Sequence, residues 1–161
     1  MRRIMYLAIV LLLCTACTKD DPQGGLEPTY ITTMKELLTG SWHGELYSET
    51  TNTTECEDLT FRPFREVEKV VSLFGTFDAY GTVQVESYIN DHLLPTSELC
   101  LYTIVGYDSG VGYIVSFYPC DNDNEVIGKE DKRILIPEND TAFLMRKYGL
   151  TERNNRRYER R

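Results

Sequence analysis

Two histidines, five cysteines and a scatter of carboxylates are the side chains of this 161-residue chain that could do chemistry. His43 and His92 form no H-E-x-x-H pair, and beyond the first twenty residues no two cysteines stand at zinc-ligand spacing, so no metal site is expected. His43, beside Trp42, reads as a surface or rim residue. Glu55, Glu57 and Asp58 are carboxylates of the kind that do acid–base work, but a charged loop accounts for them more simply. Asp121, Asp123 and Glu125 alternate as calcium ligands do. Val126, however, stands where an EF-hand loop needs glycine, so a polar hairpin tip or loop is the better reading. Glycine-rich phosphate loops and G-x-S-x-G elbows are absent. The expectation is a chain without cofactor that is not an enzyme.

The chemistry that the sequence does specify falls on Cys17. Arg2 and Arg3 precede an apolar run from Ile4 to Leu13, and Cys14-Thr15-Ala16-Cys17 follows. A cationic start, an apolar stretch of ~7–15 residues and small residues before a cut make a secretory signal. The run is too short for a spanning helix, which needs ~20 apolar residues. A cysteine directly after the small residues is the acceptor for a diacylglyceryl group, and the segment resembles the bacterial lipobox, with Cys14 where leucine is usual. Cleavage before Cys14 would leave bulky Leu13 next to the cut, which favours Cys17; plain secretion after Ala16 is the alternative. Acyl chains on one cysteine hold a protein durably, at ~0.8 kcal/mol per buried methylene. Lys19-Asp20-Asp21 is similar to the short acidic export signal of surface lipoproteins of the Bacteroidota, or else is a solvated spacer. Asp21 to Gly25 is a flexible tether by composition. The expected division is a signal (1–16), a lipidated tether (17–30) and one domain (31–161), and the resemblance of the tether to that export signal implies a lipoprotein held at the outer membrane with its body at the cell surface.

The net charge of −8 becomes more negative once Arg2 and Arg3 leave with the signal, so nucleic acid is excluded as a partner. Arg153, Arg156, Arg157, Arg160 and Arg161 cluster at the C-terminus. They could bind phosphate or glycan acids, but the solvated face of a final strand is the simpler account, because Tyr158 sits among them.

The elements that must position these residues are mostly strands. Thr33-Met34-Lys35-Glu36 fits a capping box and Gly40 a stop, with Ile31, Met34, Leu37 and Leu38 at helical spacing between them. Beyond Trp42, strands fit Leu59 to Phe61, Leu101 to Tyr107, Tyr113 to Tyr118, Arg133 to Ile136, Ala142 to Lys147 and Arg156 to Arg160. Phe77 to Val83 reads as strand, turn, strand with Gly81 at positive φ, and Asp108 to Gly112 as a second hairpin tip. The stretch 64–74 carries both periods; a strand is preferred, a helical lid the alternative. Short strands so regularly spaced predict an all-β barrel or sandwich.

Gly40-Ser41-Trp42 after a short helix, Phe77 to Thr82, Asp140 to Leu144 and the terminal Tyr158-Glu159-Arg160 resemble the lipocalin-like lipoproteins of the Bacteroidota. The resemblance implies a small antiparallel up-and-down β-barrel with a short N-terminal helix. It also implies a barrel-closing group in which Gly40 opens the first strand and Arg160, or else Arg157, lies across Trp42, a cation–π contact of ~0.5–2 kcal/mol. Asp140-Thr141-Ala142 is similar to the O-glycosylation motif of Bacteroidota envelope proteins, which marks Thr141 if its turn is exposed.

Such a barrel has room for packed side chains or one small ligand. Tyr47, Tyr88, Tyr102 and Tyr113 are candidates to line a cavity, with ordinary sheet packing the alternative for each. Cys100 and Cys120 lie symmetrically about Gly110, so an odd-length loop would set them opposite each other at disulfide distance. A one-residue shift in register would break that geometry and leave Cys56 the better partner. Two functions follow: a barrel binding a small apolar or amphipathic ligand, or a filled barrel acting through its surface as an adhesin, assembly partner or protease inhibitor.

Overall fold

The computed structural model describes residues 29–161 apart from 91 and 109. The expected signal, Cys17 and all but the end of the tether lie outside the described residues. Helix α1 (Thr29–Leu38) is followed by β1 (Gly40–Ser48), β2 (Thr53–Ser72), β3 (Gly75–Ile89), β4 (His92–Asp108), β5 (Gly112–Pro119), β6 (Asp131–Asn139), β7 (Ala142–Lys147) and β8 (Arg156–Arg160). Every neighbour pair is antiparallel and β8 returns to β1, closing the barrel. The up-and-down order is the one that the sequence predicts, and closure leaves no sheet edge within the barrel wall.

One end of the barrel is plugged. Ile31, Met34 and Leu38 of α1 are buried against Trp42, Phe61 and Phe143. The last carbonyls of a helix lack internal partners. Here Trp42 Nε1 donates to Leu38 O at 2.8 Å, and Arg160 donates to Leu37 O at 2.9 Å and Thr39 O at 3.1 Å. The Arg160 guanidinium carbon lies 4.6 Å from the Trp42 ring centre, so the expected pairing is present, and the same arginine caps the helix. Gly40 takes φ +110° where the chain turns from helix into strand, a value that suits glycine. The capping box is not formed. The helix starts at Thr29, four residues earlier, and Thr33 Oγ1 bonds back to Thr29 O inside it.

Segment 64–74 is strand up to Ser72, but the hairpin turn expected at Gly81 sits at Leu73-Phe74, with Gly75 at φ +129°. Gly81 is instead mid-strand, opposite Pro63. A Cβ there would come within 2.7 Å of Pro63 Cα and of the Tyr102 ring, so this glycine is required for close approach and not for a turn. The β2–β3 register shifts between Pro63 and Glu68, and past that bulge the hairpin folds over the outside of β4 and β5. Phe77 stacks on Tyr118 at 3.9 Å there, and Phe64, Val70 and Phe77 pack with Ala79, Leu101, Tyr118 and Cys120 as a second, outer cluster.

The same kind of irregularity overturns the expected Cys100–Cys120 bridge. From Asp108 and Gly112 back to Gly106 and Ile114 the β4–β5 register is symmetric about Gly110, as the sequence suggests. Val105 then bulges, and beyond it Cys100 faces Pro119. A one-residue slip sends a side chain to the opposite face of a sheet. Cys100 accordingly packs in the interior with Trp42 and Tyr102, and Cys120 in the outer cluster. Both are buried free thiols, and burial pushes both pKa values up.

Candidate functional site

At the end opposite the plug the barrel is open, because the inward positions change character along each strand. On β2 the sequence runs from Phe61 and Leu59 at the base to Glu57 and Glu55 at the mouth; on β8 it runs from Tyr158 to Arg156, and on β6 from Leu135 to Arg133. Below this polar level the interior is filled by aromatic rings, among them Trp42, Phe61, Tyr102, Phe117, Phe143 and Tyr158, all with almost no exposed surface. Above it lies a cavity of about 360 Å³ whose apolar wall includes Leu46, Ile89 and Met145 and whose polar wall includes Glu57, Arg133 and Arg156.

Its floor is a buried ion network. Glu57 receives Arg133 Nη1 at 2.5 Å and Nη2 at 3.3 Å, and the Tyr158 hydroxyl at 2.5 Å. Arg133 also donates Nε to Asp131 at 2.9 Å and lies 4.7 Å above the Phe117 ring. Burial alone would push the Glu57 carboxyl up; the Arg133 charge, the hydrogen bonds from Arg133 and Tyr158, and the Arg156 charge outweigh it and hold the group below its ordinary pKa. Tyr158 moves the other way, raised by burial and by the Glu57 charge. Glu57 is thus a carboxylate with its oxygens occupied, an anchor for cations more than a base.

Arg133, Lys147 and Arg156 face the cavity against Glu55 and Glu57, and Lys147 also lies 3.9 Å from Asp131. Arg156 reaches Glu55 at 3.4 Å, and its Nε is buried without a hydrogen-bond partner. Arg146, beside inward Met145 and opposite Ile134, lies on the other face of β7 and donates to Asn155 at 2.8 Å.

The residues expected from sequence are scattered. Tyr88 is at the rim, but its side chain shares the outer face with Cys56 and its hydroxyl donates to Glu86 at 3.1 Å. Tyr102 is core, edge-on to Phe61; Tyr113 sits by the plug against Tyr30; Tyr47 is exposed on the β1–β2 hairpin and donates to Asn52. Thr141 is exposed at the β6–β7 turn, where both its backbone N–H and its hydroxyl donate to Asn139. Asp121 accepts from the backbone of Asp123 and Glu125, closing its own loop. Glu55, Glu57 and Asp58 belong to a strand, not a loop. The C-terminal arginines are likewise more than a solvated face: Arg156 points to the mouth, Arg157 pairs with Glu138, and Arg161 with Asp58.

Sequence reasoning did not find the mouth charges as a group, because Glu57, Arg133 and Arg156 come from three strands and converge only on closure. It also set metal ligands aside, whereas the β1–β2 register brings donor atoms of His43, Glu45 and Cys56 within 4.8 Å of one another on the outer face. His43 lies between carboxylates, 2.6 Å from Asp58 and 2.9 Å from Glu45. Partial burial would lower its pKa, but the hydrogen bonds to Glu45 and Asp58 prevail and raise it. A second groove, about 460 Å³, runs between α1 and the β6–β7 turn and is bordered by Glu36, Glu138 and Asp140. The mouth is the stronger candidate, since it alone combines an apolar wall with buried charged groups left incompletely paired.

No protein-family model matches the chain, and neither does any curated protein or solved structure.

Proposed function

We propose that this chain is a surface lipoprotein of the outer membrane, anchored through acylated Cys17, whose lipocalin-like barrel binds one small amphipathic molecule in its open mouth. The observation that carries the reading is the cavity of about 360 Å³ above a fully packed base, a volume within the ~300–1,000 Å³ usual for ligand sites. Its walls pair apolar surface with a few converging polar groups, the composition that holds a ligand and orients it. The base has no room for a deep apolar chain, so the ligand is short or keeps part of itself in solvent. Glu57, ionised and fully engaged, supports binding over transformation. Anchoring rests on the leader alone, and the exposure of Thr141 suits glycosylation.

Two experiments test this. Metabolic labelling with palmitate should mark the wild-type chain and not Cys17→Ala. The barrel and its plug hold a complete core within 29–161, so a chain lacking the first seventeen residues retains the folded unit. Native mass spectrometry of that soluble form should show a non-covalent ligand, or uptake of one added short-chain amphipath per chain. A bare protein that takes up nothing would overturn ligand binding. It would favour instead a protein-interaction module, for which the exposed Val71, Leu73 and Phe74 at the β2–β3 tip are the supporting feature.

A further inference from the structure

Apart from the mouth, we propose that the outer face of the β1–β2 ladder is a zinc site, in which His43 Nε2, a Glu45 carboxylate oxygen and the Cys56 thiolate hold one Zn²⁺ and water takes the fourth position. The register carries the geometry. Glu45 stands directly opposite Cys56, and His43 stands opposite Asp58 two positions along, so the period of two puts all four side chains on one face. The donor atoms of His43, Glu45 and Cys56 lie within 4.8 Å of one another, and His43 Nε2 is 2.9 Å from Glu45 Oε1. Ligands of one tetrahedral zinc, ~2.0–2.3 Å from the metal, are themselves ~3.3–3.6 Å apart, so small side-chain rotations seat the ion.

The support that a metal-bound histidine needs is already present. Such histidines donate their other ring N–H to a carboxylate, which fixes the tautomer and the ring. His43 Nδ1 lies 2.6 Å from Asp58 Oδ1, and because a carboxylate only accepts, Nδ1 carries the proton and Nε2 is left to the metal. Arg161 donates to the second Asp58 oxygen at 2.7 Å, and its Nη2 lies 3.0 Å from Nδ1, on the side of the ring away from Glu45. That arginine neutralises Asp58, so Glu45 and the thiolate are the two anions that balance a divalent ion. Arg157, opposite Glu45 on β8, is engaged by Glu138 and Glu159. Cys56 is a thiol outside any disulfide; it is buried, whereas the Glu45 side chain keeps 63% of its surface exposed, so water has access from the Glu45 side. Thiolate with imidazole selects zinc over calcium and magnesium, which take oxygen donors. Binding releases the Nε2 proton and the thiol proton to solvent.

The test uses the soluble chain, reduced and stripped of metal with a chelator. Competition against a chromogenic zinc chelator should give one Zn²⁺ per chain, undisturbed by calcium or magnesium, and Co²⁺ in its place should add a thiolate-to-metal charge-transfer band in the near ultraviolet. His43→Gln and Glu45→Gln should each weaken zinc tenfold or more, and Cys56→Ala should abolish the cobalt band. Asp58→Asn, which leaves every ligand in place, should weaken zinc ~10–100-fold. Cys120→Ala should change nothing. If Cys56→Ala lost its fold by circular dichroism, the two glutamine variants and the cobalt spectrum of the wild-type chain would still decide. No zinc uptake, a cobalt spectrum without the thiolate band, or uptake unchanged in His43→Gln/Glu45→Gln would overturn the proposal. None of these outcomes touches ligand uptake at the mouth, which lies on the other face of the sheet.

Discussion

Replacing Glu57 by glutamine removes the more buried of the two carboxylates that pair with the Arg133 guanidinium beneath the mouth. Arg133 and Glu57 side chains each keep only 10% of their surface exposed, so the substitution leaves a buried cation facing an amide. Breaking a buried pair by removing one partner costs ~3–5 kcal/mol, because the surviving charge stays desolvated. The lower end applies here: Asp131 remains 2.9 Å from Arg133 Nε, and the glutamine oxygen still accepts from Tyr158. A loss of about 3 kcal/mol, at urea slopes of ~1–3 kcal/mol per M, lowers the unfolding midpoint by ~1–3 M. Trp42 is the only tryptophan and lies at the plugged end, so its fluorescence reports unfolding of the barrel and not a local change at the mouth. The companion variant Glu57→Gln/Arg133→Met removes both charges and should recover to within ~1 kcal/mol of wild type, since apolar replacement of a buried pair is often neutral. The acid limb gives a second reading. Because the folded Glu57 pKa is depressed, its contribution is present above the ordinary glutamate value of ~4.3 and is lost as pH falls through the folded value. Wild type should therefore lose more stability than Glu57→Gln over that interval. A single variant within ~1 kcal/mol of wild type, or a double variant as unstable as the single, would refute the account of the floor.

Two further outcomes follow from local geometry. Gly81→Ala should destabilise by ~1–3 kcal/mol in the same urea assay, since its Cβ meets the Pro63 backbone and the fully buried Tyr102; an unchanged midpoint would show that the β2–β3 crossing is not tight. For His43, the raised folded pKa means that its contribution is complete below the unfolded value of ~6.5 and is lost as pH rises through the folded value. The stability difference between wild type and His43→Gln, both metal-free, should accordingly shrink as pH rises above ~6.5, and a difference that stayed constant would contradict the pairing with Asp58 and Glu45.

What the sequence disclosed and what it concealed divide along one line. Period and composition reveal which residues share a face, so the strands at Ala142–Lys147 and Arg156–Arg160 and the helix face of Ile31, Met34 and Leu38 were legible; the Trp42–Arg160 pair was implied by the resemblance alone. Bulges do not show in period. Val105 shifts β4 against β5, and that shift separated Cys100 from Cys120. Gly81 misled for another reason: it serves close approach to Pro63 and Tyr102, while the chain reverses at Leu73-Phe74. The mouth was hidden for a related reason. Glu57 and Arg133 are 76 positions apart and Glu57 and Tyr158 are 101, so no short motif could join them.

The position of the charge within the barrel bears on why the mouth is built this way. An interior that remained apolar from base to rim would collapse onto itself or attract any greasy molecule. Here the aromatic base ends at Tyr158 and Phe117, and each ring turns a contact toward the ion network: the Tyr158 hydroxyl donates to Glu57, and the Phe117 face receives Arg133. The network therefore stands on packed rings that fix its geometry, and Arg156, within 3.9 Å of Glu57, is held by the same anchor. Donors held in place before a ligand arrives lose little freedom when it binds. A site so arranged can prefer one ligand with few contacts, and one such ligand per chain is what native mass spectrometry of the soluble form should show.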